Sequence, residues 1–181
     1  MIALTRCVVA AALLGSGMAT AQEKASSDLV KRGEYLVTTG LCHDCHTPLI
    51  MGPNGPEHDM KRALSGHPEN LLVKAPVSLP EPWTGAFSST LTAWSGPWGV
   101  SFSANLTPDE QTGRLRGFTE QQFIQTMRTG RHQGQGRQIL PPMPWEYIGK
   151  RTDDDLKAIF AYLKQVPPIR NKVPDPIPPA K

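Results

Sequence analysis

Apolar residues return at helical spacing in three stretches of the chain. In residues 27 to 40, Leu29, Val30, Gly33, Leu36 and Val37 make one stripe, Ser26 or Ser27 offers a cap, and Gly40 offers a stop. In residues 119 to 129, Thr119 and Gln122 have the spacing of a capping box, Phe118 can staple onto Phe123, and Gly130 ends the run. Residues 152 to 165 carry the fullest set of signals. Thr152 and Asp155 are again spaced as a box, and Asp153 and Asp154 suit the positive end of the helix dipole. Leu156, Ile159, Phe160 and Leu163 share a face, and Pro167 and Pro168 stop the helix. A glycine inside a helix costs roughly 1 kcal/mol against alanine. Gly33 therefore reads either as a weak spot in an exposed helix or as a close approach, and the expectation is that the last helix crosses the first at that point with Phe160 or Tyr162 over the gap. Thr107-Pro108-Asp109-Glu110, followed by Gly113, predicts one short extra turn.

The helical pattern fails between residues 46 and 105. That stretch holds eight prolines, together with Trp83, Phe87, Trp94, Trp98 and Phe102. Loops of this length are unusual in a compact domain unless they wrap something. Alternation in GVSFSA, residues 99 to 104, permits a short hairpin with residues near 86 to 93. The last stretch, residues 167 to 181, is proline-rich and reads as an extended tail.

The start of the chain reads differently. Arg6, an apolar run from Cys7 to Leu14, and Ala19-Thr20-Ala21 have the order of a secretory leader over residues 1 to 21. The apolar run is too short for a membrane span, which needs about 20 residues. The expected organisation is a leader (1–21), one domain (22–166) and the tail (167–181), the mature protein being soluble and exported to the periplasm. Cleavage after Ala21 removes Arg6 and no acid, so the formal charge falls from +3 to +2. Such a balance predicts no bulk nucleic-acid binding. Apolar residues are 39% of the chain, against 16 glycines and 18 prolines. So thin a supply of core side chains suggests that something else fills the middle.

The candidate is a cofactor, because the mature chain keeps just two cysteines, both in Cys42-His43-Asp44-Cys45-His46. A structural zinc site wants four ligands, and no second cysteine pair exists. A thioredoxin-like pair belongs at a helix start in a βαβ pattern, which the flanks lack. Cys-x-x-Cys-His is also the attachment motif of c-type haem. On a helical turn, positions i, i+3 and i+4 share a face, so Cys42, Cys45 and His46 can meet one planar group. Each thiol can close a thioether, and His46 can reach the iron. One copy of the motif implies one covalently bound haem c. His43 points off the shared face.

The second axial position then decides the chemistry, and a methionine there raises the potential of an electron-transfer haem. Met51 follows His46 too closely, Met127 lies in a helix as core packing, and Met60 is the alternative. Met143 is favoured: it stands among Pro141, Pro142 and Pro144, which stiffen the backbone around its sulfur. His58, His67 and His132 sit in polar, Gly- or Pro-containing surroundings and read as solvent-exposed. Residues 111 to 139 hold Arg114, Arg116, Arg128, Arg131 and Arg137 against the single acid Glu120. One or two of them, or a Trp indole, suit the haem carboxylates. The rest suit either a rim that steers an acidic partner or a plain solvated face.

Together, GEYLVTTGLCHDCHTPL, SANLTPDEQTG, FIQTMRTGRHQGQGRQILPPMPW and DLKAIFAYLKQVPPIRNKVP resemble a bacterial periplasmic class I c-type cytochrome. They are similar to the cytochrome c domains of periplasmic alcohol, aldehyde and sugar-acid dehydrogenases, over residues 28 to 178. The resemblance implies an all-α fold whose first and last helices cross around the haem. It implies attachment at Cys42 and Cys45 and axial ligation by His46 and Met143. GPNG, residues 52 to 55, is similar to a loop in which a proline carbonyl orients the proximal histidine, and Pro53 fills that place here. The expected function is single-electron transfer between a dehydrogenase and a respiratory acceptor such as an oxidase, with no catalysis of its own. The rival is a ligand sensor or peroxidase-like enzyme from whose iron Met143 can be displaced.

Overall fold

The structure is a computed structural model. It describes the backbone of residues 8–74 and 76–179, and the side chains of 23–24, 26–74 and 76–179. The leader expected over residues 1–21 falls on residues whose side chains lie outside the described residues, and its basic start, Arg6, lies outside them altogether.

The helices come in the order α1 (Val8–Thr39), α2 (Cys42–His46), α3 (Glu120–Thr129), α4 (Trp145–Ile148) and α5 (Asp153–Leu163). Their ends follow local chemistry. Thr119 and Gln122 form the full capping box of α3, and Gly130 closes it in the left-handed region at φ 64°. On α5, Thr152 accepts the Asp155 amide, but only this half of the box forms. The Asp155 carboxylate turns instead to Arg32 of α1, 3.0 Å away. That pair ties together the two helices that cross. At the crossing Gly33 is buried, and a β-carbon there would lie 2.0 Å from the Ala158 carbonyl oxygen and 2.7 Å from Tyr162 Cβ. The missing side chain is what lets the backbones meet. Tyr162 covers the gap, while Phe160 turns to Phe123 of α3, with ring centroids 5.4 Å apart. Leu36 and Val37 of α1, Phe123 and Ile124 of α3, and Leu156 and Ile159 of α5 make the core.

The all-α expectation is overturned by the five strands in two antiparallel sheets found among the described residues. β1 (Leu49–Gly52) pairs with β2 (Gly55–His58), and β3 (Ala86–Phe87), β4 (Ala93–Gly96) and β5 (Gly99–Phe102) form a three-stranded sheet. The GVSF strand is the one foreseen, but its partner is residues 93 to 96, and residues 86 and 87 pair one strand further out. The physical reason is a turn sequence used twice. Gly52-Pro53-Asn54-Gly55 and Gly96-Pro97-Trp98-Gly99 each put proline at the second turn position and a positive-φ glycine at the fourth (Gly55 φ 114°, Gly99 φ 93°). Each closes a hairpin in a stretch whose prolines forbid helix. The extra turn expected at Thr107 is not helical either. Asp109 Oδ1 instead accepts the amides of Gln111 and Thr112 and the Thr112 hydroxyl, which competes with helix formation.

Gly33→Val drives a branched side chain into the Ala158 carbonyl. Thermal or urea unfolding of the purified protein is expected to show a loss of about 3 kcal/mol. Gly33→Ala is expected to lose less, and an unchanged midpoint for both is incompatible with this crossing.

Candidate functional site

Cys42, Cys45 and His46 all line one cavity, as their i, i+3, i+4 spacing on α2 requires. Met143, from the segment between Ile139 and α4, lines the same cavity. Its atom-free space is about 1220 Å³, part of it open to solvent. Leu106, Leu115, Phe123, Ile139 and Ile159 make much of its wall apolar. Cys42 and Cys45 are not joined in a disulfide. Burial raises Cys42 to about 11 and pushes Cys45 up as well. A redox-active pair depends on the opposite shift, toward thiolate.

His46 is held from several directions. Its Nδ1 donates to the Ala104 carbonyl at 2.8 Å, which fixes the neutral tautomer and leaves the Nε2 lone pair free. Nε2 has no hydrogen-bond partner among the described residues. Burial holds the imidazole below its usual range, the Ala104 carbonyl opposing. The His46 carbonyl accepts the Gly66 amide at 2.8 Å, and Thr47 Oγ1 accepts the Leu64 amide at 2.9 Å. Gly66, at φ 77°, is what brings Ala104 within reach. A β-carbon there would sit 2.3 Å from the Ser103 carbonyl oxygen and 2.5 Å from the Ala104 carbonyl carbon. The expected role of Pro53 is thereby corrected: it is exposed in the β1–β2 turn, and the carbonyl facing His46 is that of Ala104. The partner lies 58 residues away, so no local motif could reveal it.

The Met143 segment is anchored to the sheet and to α3. Ser101 Oγ on β5 donates to the Pro141 carbonyl at 2.5 Å, and the Ile139 amide donates to the Gly130 carbonyl at 2.7 Å. Trp145 packs its indole over Gly130, where a β-carbon would lie 2.3 Å from the ring. Of the other candidate sulfurs, Met51 and Met60 are exposed, whereas Met127 is buried on α3 and also reaches the cavity.

Polar groups interrupt the apolar wall. Trp94 lines the cavity, and its Nε1–H is the one buried side-chain N or O without a hydrogen-bond partner among the described residues. A buried donor left unpaired costs about 1–3 kcal/mol. Arg114 and Arg137 reach the wall with His132, which desolvation and then the two guanidiniums lower to about 4. A cavity with an orphan N–H and clustered cations suits a group that is apolar over most of its surface and carries acceptor oxygens. Arg151 also lines the cavity, whereas the other arginines of residues 111–139 are bonded elsewhere. Arg128 bonds the Gly149 carbonyl and Asp153, Arg116 bonds the Gln111 carbonyl, and Arg131 bonds the Gly136 carbonyl.

The rival histidines divide. His58 is half-buried, 3.8 Å from Asp44. His43 is off the cavity and bonded to Thr47 Oγ1 at 2.8 Å. His67, expected at the surface, is fully buried: Nε2 donates to the Leu71 carbonyl at 2.8 Å, and Nδ1 faces Thr92 Oγ1 at 2.9 Å. Both ring nitrogens are used, so it has none to offer a metal. Among the described residues no group of three or more His, Cys, Asp or Glu could hold a metal ion.

No family model matches the chain. Over most of its length it is nonetheless related to cytochrome subunits of dehydrogenases. It is 29% identical to the cytochrome c subunit of the quinone-dependent alcohol dehydrogenase of Gluconobacter oxydans (strain 621H), over 88% of this chain and 26% of that protein. It is 28% identical to the fructose dehydrogenase cytochrome subunit of Gluconobacter japonicus, over 74% of this chain and 20% of that protein. With the gluconate 2-dehydrogenase cytochrome c subunit of Pantoea cypripedii the identity is 28%, over 80% and 24%. The chain spans about a quarter or less of the length of these relatives.

Burial holds His67 below its ordinary value. The unfolded chain takes up a proton near pH 6.5 that the folded chain refuses, so stability falls as pH drops below that point. Urea midpoints between pH 7 and 5 are expected to fall more steeply for wild type than for His67→Gln. The difference in slope is at most about 1.4 kcal/mol per pH unit. Parallel profiles would contradict a buried neutral His67.

Proposed function

We propose that this chain is a c-type cytochrome module carrying single electrons. One haem c is attached at Cys42 and Cys45, with His46 and Met143 as the axial pair. The observation that carries this reading is that two thiols and an imidazole of one helical turn line the same apolar cavity as Met143. The group, when bound, supplies a one-electron ferrous–ferric couple. The protein's part is to hold it and to tune it. Ala104 keeps the His46 imidazole neutral and turned so that Nε2 is free to ligate. Ser101 and Gly130 hold the proline segment that carries Met143. The apolar wall disfavours the extra charge of the oxidised form, which with a thioether ligand raises the potential. Trp94, Arg114 and Arg137 are the donors suited to the carboxylates of the group, as the orphan indole N–H and the cation cluster argue.

The relatives are named as cytochrome subunits of dehydrogenases. By that likeness, this chain passes electrons between a periplasmic dehydrogenase and a respiratory acceptor and does no chemistry on the dehydrogenase substrate. Export is the role of residues 1–21, and residues 22–166 with the tail are the working protein. No helix among the described residues is long and apolar enough to cross a membrane.

Protein matured in an export-competent host is expected to be red and to keep its pigment through acid–organic extraction. Cys42→Ser with Cys45→Ser is expected to release it. Met143→Ala is expected to lose the weak far-red sulfur-to-iron band of the oxidised spectrum and to bind carbon monoxide when reduced. Loss of the band in Met127→Leu but not in Met143→Ala would transfer the ligand role to α3.

A further inference from the structure

The proline-rich tail is ordered by contacts that no linker needs. Asn171 is buried, and its side chain makes three bonds to a distant segment. Nδ2 donates to the Ser65 and His67 carbonyls at 2.7 and 2.8 Å, and Oδ1 accepts the Glu69 amide at 2.9 Å. The Asn171 amide donates to Thr112 Oγ1 at 3.0 Å, and the Lys172 amide to Glu69 Oε2 at 2.9 Å. Further on, Ile177 exchanges both backbone bonds with Val100 of β5, at 2.8 and 3.0 Å, so the tail adds a short rung to the free edge of the sheet. Gly99 permits it: a β-carbon there would lie 2.1 Å from the Ile177 carbonyl oxygen. Between these two anchors, Pro176 lines the same cavity as His46 and Met143. Asp175 lies close enough to Arg114 of the cavity wall to oppose the lowering of its guanidinium.

We propose that residues 171–179 form a wall of the haem cavity, with Asn171 and Ile177 as positioning residues that keep water off the Pro176 side and so set the reduction potential. The proposal rests on the haem reading. The wall acts through solvation: water stabilises the more charged oxidised form, so loosening the tail lowers the potential.

The test uses the full-length holoprotein, with Asn171→Ala and Ile177→Pro as loosening variants and Ile177→Val as the conservative one. If Asn171→Ala does not fold, Ile177→Pro removes a single surface-edge donor and stands alone. Hydrogen exchange at the Val100 amide, which donates to Ile177, reports docking. It is expected to be protected in wild type and at least tenfold faster in the loosened variants. At the wild-type midpoint the ratio of oxidised to reduced protein is expected to rise threefold or more in those variants and to return in Ile177→Val. An unprotected Val100 amide in wild type overturns the proposal. So does a coloured, folded variant with a loosened tail and an unchanged ratio, which leaves the haem reading standing. A colourless wild type overturns the haem reading itself, and the wall with it.

Discussion

The site depends on one hydrogen bond, from His46 Nδ1 to the Ala104 carbonyl. Helix α2 is only five residues long and has no side-chain cap. Helices this short are not stable alone. What holds α2 is the segment from Leu64 to Gly66, which bonds Thr47 and the His46 carbonyl on one side and packs against Ser103 and Ala104 on the other. The imidazole is aimed by this three-layer stack. Gly66 is the member with no substitute, since any side chain there meets two backbone carbonyl groups at once.

Side-chain amides do for this chain much of what regular ladders do elsewhere. Asn105 Nδ2 donates to the Ile169 carbonyl at 2.8 Å, while its Oδ1 accepts the Thr107 amide and hydroxyl. Asn171 closes the same network from the tail side. Buried backbone groups must find partners, and a segment rich in proline lacks the donors for a sheet. Two buried asparagines solve this by bridging three irregular segments. The result is that the stretch from 64 to 71, the stretch from 105 to 112, and the tail are bonded into one layer beside the cavity.

The three cytochrome subunits compared above are under 30% identical to this chain, and each is several times longer than it. The helical frame and the two sheets have different tasks. The α1–α5 crossing closes the hydrophobic core, and the three-stranded sheet supplies Trp94 and Ser101 to the cavity. A cavity built between a helical frame and a sheet can be apolar on one side and carry donors on the other. That division suits a large flat group with a charged margin.

Sequence determined what depends on neighbours along the chain. The ends of α3 and α5, the glycine crossing, and the shared face of Cys42, Cys45 and His46 follow from spacing, capping chemistry and helical period. The Gly-Pro-X-Gly pairs were equally local, and reading them as turns would have announced both hairpins. Tertiary structure decided what depends on chain segments tens of residues apart. His67 looked exposed because its neighbours are polar, yet Thr92 and the Leu71 carbonyl bury it with both nitrogens bonded. Asp155 left its capping box because Arg32 offered a charge. Ala104, not Pro53, faces His46, and the tail is a rung of the sheet. A hydrogen bond to a carbonyl needs no particular residue type on the acceptor side. Such contacts leave no mark in the sequence, and only the folded path of the chain selects them.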